Sequence, residues 1–202
     1  DGGEVSTRLV LAADGAQSPM RAAAGIGVRR WSYGVSALVF LAETGAPHED
    51  VSTERYLGGS SITLVPTGPG RVSVVWLDAP EAQAARRDGS EQSLGDAATE
   101  ASRARLGALR PVGRRALFPL QGLHARRYVA PRLALLGEAA HRMAPVGSQG
   151  FNLTARDVLD LRGRLARAGD PGGTDQLIGY ERARRPDVAS RLAAVDALTA
   201  MA

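Results

Sequence analysis

The stretch that decides the fold is LALLGEAAHRMAPVGSQGFNL, residues 133–153. It begins with a short, wholly apolar run, Leu133 to Leu136, which is typical of a strand buried on both faces in a parallel sheet. Gly137 and Glu138 follow directly, and a loop with proline and glycine then leads into a helical pattern over about residues 152–167. A buried strand therefore delivers a carboxylate beside the start of a helix, an arrangement that faces ligands in open α/β sheets.

A second segment of the same kind lies near the N-terminal end. The apolar run from Leu9 to Ala13 is ended by Asp14 and Gly15, and Arg21 follows one short turn later. A carboxylate at the end of a strand lies at the rim where such sheets hold ligands, and Arg21 is close enough either to neutralise a phosphate or to fix the loop. An ordinary Asp-Gly turn is the structural alternative.

The region between these segments has a different pattern. Two β-rich runs, residues 62–65 and 72–77, flank a turn with proline and glycine and predict an antiparallel hairpin. A helix is predicted from a cap at Asp88 to Ser90 as far as about Leu109. A last helical pattern starts at Thr174, and Pro186 should kink or restart it. The predicted fold class is α/β: two parallel-type strands bracket a mainly antiparallel insert, and helices form the C-terminal end.

The amino-acid composition argues against some classes of function. The 202 residues, 44% hydrophobic and 23% charged, fit one large domain or two small interleaved ones. With no cysteine and three histidines far apart in sequence, we expect no metal centre. All 25 basic residues are arginine, the net charge is only +4 and aromatic residues make up 4%, so we expect no nucleic-acid partner.

Together the two strand-end segments resemble the second and third sequence fingerprints of the FAD-dependent aromatic hydroxylases, the flavoprotein monooxygenases of the p-hydroxybenzoate hydroxylase type. They stand in the family's order, about 120 residues apart. The residues after the loop, SQGFNL at 148–153, and the tail YERARRPD at 180–187 are most similar to the ubiquinone-biosynthesis hydroxylase branch. The family's first fingerprint, an N-terminal GxGxxG unit, is missing. We therefore expect the chain to be a fragment that is inactive by itself.

The resemblance implies a domain organisation. Residues 1–28 and 121–165 would be parts of a Rossmann-like FAD-binding domain. Residues 29–120 would be an inserted, mainly antiparallel substrate-binding sheet, and residues 166–202 a C-terminal helical segment.

The resemblance also implies FAD as the cofactor, with NADPH or NADH as co-substrate. Asp14 and Arg21 would organise its phosphate side and Glu138 its ribityl chain, although the general family pattern has the shorter aspartate after Gly137. The loop over residues 147–152 would face the flavin ring. The predicted cofactor-binding residues are Asp14, Arg21, Gly137, Glu138, Pro145, Gly147, Gln149, Gly150, Phe151 and Asn152.

The implied reaction is hydroxylation of an aromatic ring, with a ubiquinone precursor as substrate, through a flavin C4a-hydroperoxide formed with O₂. Two alternatives stay open: a monooxygenase of another branch, acting on a polyketide, an antibiotic or an alkene, and a chain without FAD that serves as a folding or interaction unit. A lone loop histidine such as His141 is more typical of a structural hydrogen bond than of acid–base catalysis. Tyr33, Trp76 and residues 118–120 fit a lipophilic substrate pocket and the core equally well.

The expected partners are the aromatic small molecule and O₂. If the substrate is prenylated, we expect association with a membrane surface or with a protein complex. An exposed strand edge would favour self-association. The composition and the branch together suggest a bacterial protein of the cytoplasm.

Overall fold

The structure is a computed structural model that describes residues 3–145 and 149–201, with the backbone alone for 198–201. The chain divides into two compact units. Unit 1 combines the residues up to Tyr33 with Gln121–Met201, and unit 2 is Gly34–Leu120. The predicted domain boundaries after residues 28, 120 and 165 stay a prediction, since the two units are defined by compactness alone.

The strands are β1 Val10–Ala12, β2 Val28–Thr44, β3 Thr53–Tyr56, β4 Ser61–Gly68, β5 Arg71–Asp78, β6 Leu109–Ala125, β7 Val129–Ala130, β8 Leu133–Leu135 and β9 His141–Arg142. The helices are α1 Pro19–Ala23, α2 Pro80–Asp88, α3 Glu91–Ala101, α4 Gln149–Leu165 and α5 Thr174–Met201, and Gly137–Ala139 form a 3₁₀ turn. No helix of the described part is long and apolar enough to cross a bilayer.

Unit 1 is built around the pair of strands that the apolar runs predicted. β1 and β8 pair in parallel, from Val10 opposite Leu133 to Ala12 opposite Leu135, and β7 lies on the other edge of β8. Every residue of β8 is buried, because the strand is covered on both faces. Where β2 and β6 enter this unit, the N–H of Arg126 donates to the carbonyl of Gly27 at 2.9 Å.

Unit 2 is an antiparallel sheet with an apolar core. The sheet order is β3-β4-β5-β2-β6-β9, in which β9 pairs only with the unit 1 end of β6. The predicted hairpin is present as β4 and β5, and alternate residues of its strands, such as Ile62, Leu64 and Val74, are buried. Each such side chain stabilises the fold by about 1.5–3 kcal/mol. The α/β fold class, with an antiparallel sheet and C-terminal helices, is confirmed.

The helix predicted from Ser90 to about Leu109 is too long. The Ser90 hydroxyl does cap it, accepting the N–H of Ser93 at 3.0 Å, but α3 ends at Ala101. Arg103 and Ala104 adopt left-handed φ values of 53° and 48°, which break the helical path. Leu109 therefore starts strand β6, although it is buried as its apolar character predicted.

Two further differences concern prolines. Helix α2 was not predicted, although Pro80 occupies its first turn, where a missing N–H costs nothing. Helix α5 runs through Pro186 as one helix, so it does not restart there, and the predicted kink stays a prediction. Hydrogen bonds of Arg184 and Asp187, on either side of the proline, hold the helix in place.

Candidate functional site

The 3₁₀ turn after β8 shows how the sequence presents Glu138. Gly137 has a φ of 55°, and a Cβ there would lie 3.0 Å from the side chain of Thr154. Only glycine combines this left-handed backbone with so close an approach to α4. The N–H of Gly137 donates to Asp157 Oδ2 at 3.2 Å on the buried side, which leaves Glu138 on the exposed side of the turn.

The start of α4 lies beside this turn. Gly150 is exposed, and a Cβ at this position would meet nothing within 4 Å. Phe151 is 80% exposed, which is unusual for a phenylalanine. A helix start carries about half a positive charge, so it favours an anion or a developing negative charge. Of the other predicted residues, Pro145 is exposed and Gly147 lies outside the described residues.

The turn and the helix start line one cavity of about 290 Å³. Its lining residues are Glu138, His141, Arg142, Met143, Gly150, Phe151 and Thr154. The structure thus brings together three of the predicted residues, Glu138, Gly150 and Phe151. Glu138 Oε2 lies 3.9 Å from Arg142 Nε, and the Glu138 side chain is more than half exposed, so this ion pair is weak. The carboxylate can accept hydrogen bonds from the hydroxyl groups of a ligand.

Asp14 lies at the end of β1 as predicted, and its side chain organises the loop that follows. Its Oδ2 accepts the N–H of Met20 at 3.1 Å. Burial raises the pKa of Asp14, but hydrogen bonds from the Ser18 hydroxyl and the Met20 N–H outweigh it and lower the pKa below its ordinary value. The exposed carboxylate is therefore ionised at neutral pH.

Arg21 connects the two strand-end segments. Its side chain is buried, and its guanidinium donates to the carbonyl of Ala139 at 2.7 Å and to that of Ala16 at 2.9 Å. The first of these bonds joins residues 118 positions apart and ties the Asp14 loop to the 3₁₀ turn. Two roles were open for Arg21, neutralising a phosphate or fixing the loop, and these hydrogen bonds are those of a residue that fixes the loop. Its contact with a phosphate stays a prediction.

A buried ionic cluster lies under the 3₁₀ turn. His141 Nε2 is 2.7 Å from Asp157 Oδ2, and Arg184 Nε donates to Asp157 Oδ1 at 2.8 Å. The histidine is 3% exposed and the aspartate 0%, which fits the structural role expected of His141. Asp157 and Arg184 are functional-site residues that the sequence did not predict. One pattern could have indicated the aspartate, because Leu153, Asp157 and Leu161 recur every four residues on the apolar face of α4.

Two tyrosines of unit 1, Tyr128 and Tyr33, form hydrogen bonds in surroundings that shift pKa values. Tyr128 is buried between His124 and His141, and its hydroxyl lies 3.1 Å from His124 Nε2. Burial, with nearby arginines, lowers the pKa of His124 to about 4, so the ring is neutral at neutral pH, and its tautomer sets which of the two groups donates this hydrogen bond. Burial and a 2.7 Å hydrogen bond to Asp196 raise the pKa of Tyr33 to about 12.

Some of the residues that the sequence placed equally well in a lipophilic substrate pocket or in the core can now be assigned. Trp76 belongs to the core of unit 2, and Leu120 is buried. Phe118 is half exposed. Within residues 3–145 and 149–201 no group of three or more acidic or histidine side chains is arranged to hold a metal ion.

The site therefore combines two strand ends of a parallel pair, a glycine turn with an exposed carboxylate, and a helix start, as cofactor-binding α/β proteins do. The family model for the FAD binding domain matches residues 1–195. The chain belongs to this FAD-binding domain family.

Relatives of the chain agree with the resemblance seen in the sequence. It is 39% identical to the ubiquinone hydroxylase UbiL of Rhodospirillum rubrum over 98% of the chain and 47% of the relative. It is 36% identical to the 3-demethoxyubiquinol 3-hydroxylase of Escherichia coli over 78% of the chain and 40% of the relative. The likeness to the ubiquinone-biosynthesis hydroxylases is thereby confirmed. The chain spans about half the length of the curated relatives it matches.

Solved structures agree on the fold. PqsL of Pseudomonas aeruginosa, described as a probable FAD-dependent monooxygenase, matches with a TM-score of 0.76 at 25% identity, over 96% of the chain and 56% of PqsL. HpxO of Klebsiella pneumoniae, in complex with FAD and uric acid, matches with a TM-score of 0.73 at 23% identity, over 95% of the chain and 50% of HpxO. The second likeness is one of fold alone.

Proposed function

We propose that this chain forms part of a flavoprotein monooxygenase that hydroxylates an aromatic ring, and that the ring is that of a ubiquinone precursor. Family membership and the named activities of the relatives support the class of reaction. The structural observation that carries the proposal is the cavity shared by the 3₁₀ turn and the start of α4, to which Arg21 ties the Asp14 loop.

The residues present fit FAD. Gly150 leaves open space for a bulky group where the backbone of α4 begins, and Glu138 offers an exposed carboxylate to ribityl hydroxyls. Asp14 and Arg21 would organise the phosphate side of FAD. The contribution of Arg21 would be mainly to hold the loop that follows Asp14 in shape. The remaining proposed contacts are Gly137, Pro145, Gly147, Gln149, Phe151 and Asn152.

When bound and reduced by NADPH or NADH, FAD supplies the activation of O₂ and the transfer of one oxygen atom. The chain's own residues would bind the cofactor and orient it. The start of α4 stabilises negative charge that develops in the cavity, and the exposed ring of Phe151 provides an apolar edge that excludes water. His141 has no acid–base role in this proposal, because its Nε2 is engaged by Asp157 in the interior.

The whole protein would work with a small aromatic substrate and O₂ in the bacterial cytoplasm. A prenylated ring would bring it to a membrane surface or to a protein complex, because the prenyl tail partitions out of water. Self-association would follow if the edge of β1 were left unpaired.

The test uses the whole protein purified with FAD. We expect the visible absorption of bound flavin, oxidation of NADPH or NADH that depends on the phenolic substrate, and a product that gains one oxygen atom from isotope-labelled O₂. Flavin binding without hydroxylation of any ubiquinone precursor would move the proposal to another branch, acting on a polyketide, an antibiotic or an alkene. A whole protein that binds no flavin would leave only the non-catalytic alternative.

A further inference from the structure

In the tail YERARRPD, residues 180–187 on α5, Tyr180 and Arg184 are buried and Glu181 is half-buried, whereas Arg182 and Arg185 are exposed. The Tyr180 hydroxyl donates to the carbonyl of Leu135, at the end of β8, at 2.7 Å. Glu181 Oε1 accepts the N–H of Tyr128 at 2.7 Å. These bonds anchor α5 to the strands that lead into the 3₁₀ turn.

Arg184 of the same tail is 6% exposed, and each of the three nitrogens of its guanidinium donates a hydrogen bond. It donates to Asp157 Oδ1 at 2.8 Å, to Asp187 Oδ2 at 2.6 Å and to the carbonyl of Leu153 at 3.4 Å. The rigid fork of a guanidinium can meet three acceptors in this way, which a lysine ammonium cannot do with the same geometry.

Asp157, on the other side of this contact, gathers donors from three elements. Its Oδ2 faces the N–H of Gly137 at 3.2 Å and His141 Nε2 at 2.7 Å, and its Oδ1 faces Arg184. An ionised carboxylate only accepts hydrogen bonds, so His141 Nε2 carries the ring proton. The carboxylate thereby fixes Gly137, at the start of the turn that presents Glu138, and His141, two residues beyond the end of that turn.

Compared with apolar residues of similar size, this cluster adds little net stability. Ions taken out of water cost several kcal/mol each, and replacing a buried ion pair by apolar residues is often neutral or stabilising. A cluster of this kind fixes geometry instead, and the geometry it fixes is that of residues 137–141, which line the cavity with Glu138 and His141.

We propose that Asp157 and Arg184 are positioning residues of the cofactor site. Arg184 holds the Asp157 carboxylate, and Asp157 holds the Gly137 backbone and the His141 ring so that Glu138 faces the cavity. The proposal rests on the proposed function, because it takes the cavity to be the FAD site.

The experiment compares three variants of the whole protein. Arg184→Met keeps most of the side chain's length and removes its charge, and Arg184→Lys restores the charge without the fork. Arg191→Met is the matched control, because Arg191 lies on the same helix and binds Asp187 at the edge of the cluster. Two readouts are taken: FAD affinity of the apoprotein by fluorescence quenching, and the ¹⁵N signals of the His141 ring without FAD, assigned with His141→Gln.

We expect Arg184→Met to weaken FAD binding about tenfold and to change the His141 signals, with Arg184→Lys in between and Arg191→Met within about twofold of wild type. A folded Arg184→Met protein with wild-type FAD affinity overturns the proposal, even if its His141 signals change. If Arg184→Met does not fold, Asp157→Asn, which is of equal size, decides by the same two readouts.

The two proposals can fail separately. If the wild-type protein binds no FAD, the proposed function fails, and the His141 signals alone judge the positioning role. If FAD binds but its affinity is the same in every folded variant, the positioning role fails and the proposed function stands.

Discussion

The two units bury different kinds of side chain. Among the described residues, the polar residues of unit 2 that are buried as a whole are uncharged: Ser36, Ser61, Gln83 and Ser102. Those of unit 1 include four ionisable groups: Arg21, His141, Asp157 and Arg184. Unit 2 is held by apolar area, whereas unit 1 is also held by directional bonds between ions and backbone groups.

This difference shows that stabilising a fold and fixing the position of a single group depend on different interactions. Apolar contacts are non-directional, so they stabilise a sheet without fixing any single group. Buried charge costs solvation free energy and gives fixed distances in return. The candidate site lies in the unit that bears this cost, and both of its strand-end segments are tied by buried arginines.

The sharpest way to break the comparison is to remove the central carboxylate. Asp157→Ala leaves Arg184 and His141 buried without their acceptor, so we expect a loss of about 3–5 kcal/mol in the free energy of unfolding. Asp160→Ala is the control on the same helix, because its ion pair with Arg164 is partly exposed and contributes about 0–1 kcal/mol. Urea unfolding measures both, and equal losses would contradict the comparison.

The second prediction addresses the apolar core of unit 2. Leu64→Ala should cost about 3 kcal/mol, because it opens a cavity among buried side chains. Val65→Ala, one residue further on the opposite and more exposed face of β4, should cost less than about 1 kcal/mol. FAD affinity of the folded Leu64→Ala protein should match wild type. A flavin affinity that falls with Leu64 would mean that unit 2 helps to set the site's geometry.

The third prediction concerns the pH dependence of stability, because lowering the pH protonates His124 in unit 1. Because the pKa of His124 falls from 6.5 in the unfolded chain to about 4 in the fold, the unfolded state binds more protons between these values. Its contribution to stability is complete above pH 6.5 and is lost as the pH falls toward 4, by about 1–2 kcal/mol once solvent screening is allowed for. His124→Gln keeps an acceptor for Tyr128 and should flatten this part of the profile. An unchanged profile would show that His124 is not buried as a neutral ring.

The smallest effect on stability is expected at the start of α4. Gly150→Val and Gly163→Val place the same side chain at two exposed positions of one helix where a Cβ meets nothing. Each should change apoprotein stability by less than about 0.5 kcal/mol, since valine is a slightly better helix former than glycine. Only Gly150→Val should weaken FAD binding in the whole protein. Equal flavin affinities would place the cofactor elsewhere.

Sequence reasoning recovered what depends on local pattern. The apolar runs ending at Ala13 and Leu136 predicted the parallel pair, and the turn between β4 and β5 predicted their hairpin. The end of α3 was missed, because it depends on left-handed residues that no propensity favours. The cluster of Asp157 and Arg184 was missed because its bonds join residues from four separate elements, the 3₁₀ turn, β9, α4 and α5, and periodicity along one helix does not contain this relation.

The hydrogen bond between Arg126 and Gly27 has a consequence for how such a chain can change over time. It joins two backbone groups of unit 1, one before and one after the segment 34–120. Each doubling of the length between them adds only about 0.6 kcal/mol to the entropic cost of closing this loop, since that cost grows with the logarithm of loop length. Residues 34–120 can therefore be lengthened, shortened or exchanged as a cassette, and a chain can acquire a new insert while it keeps the ionic cluster unaltered.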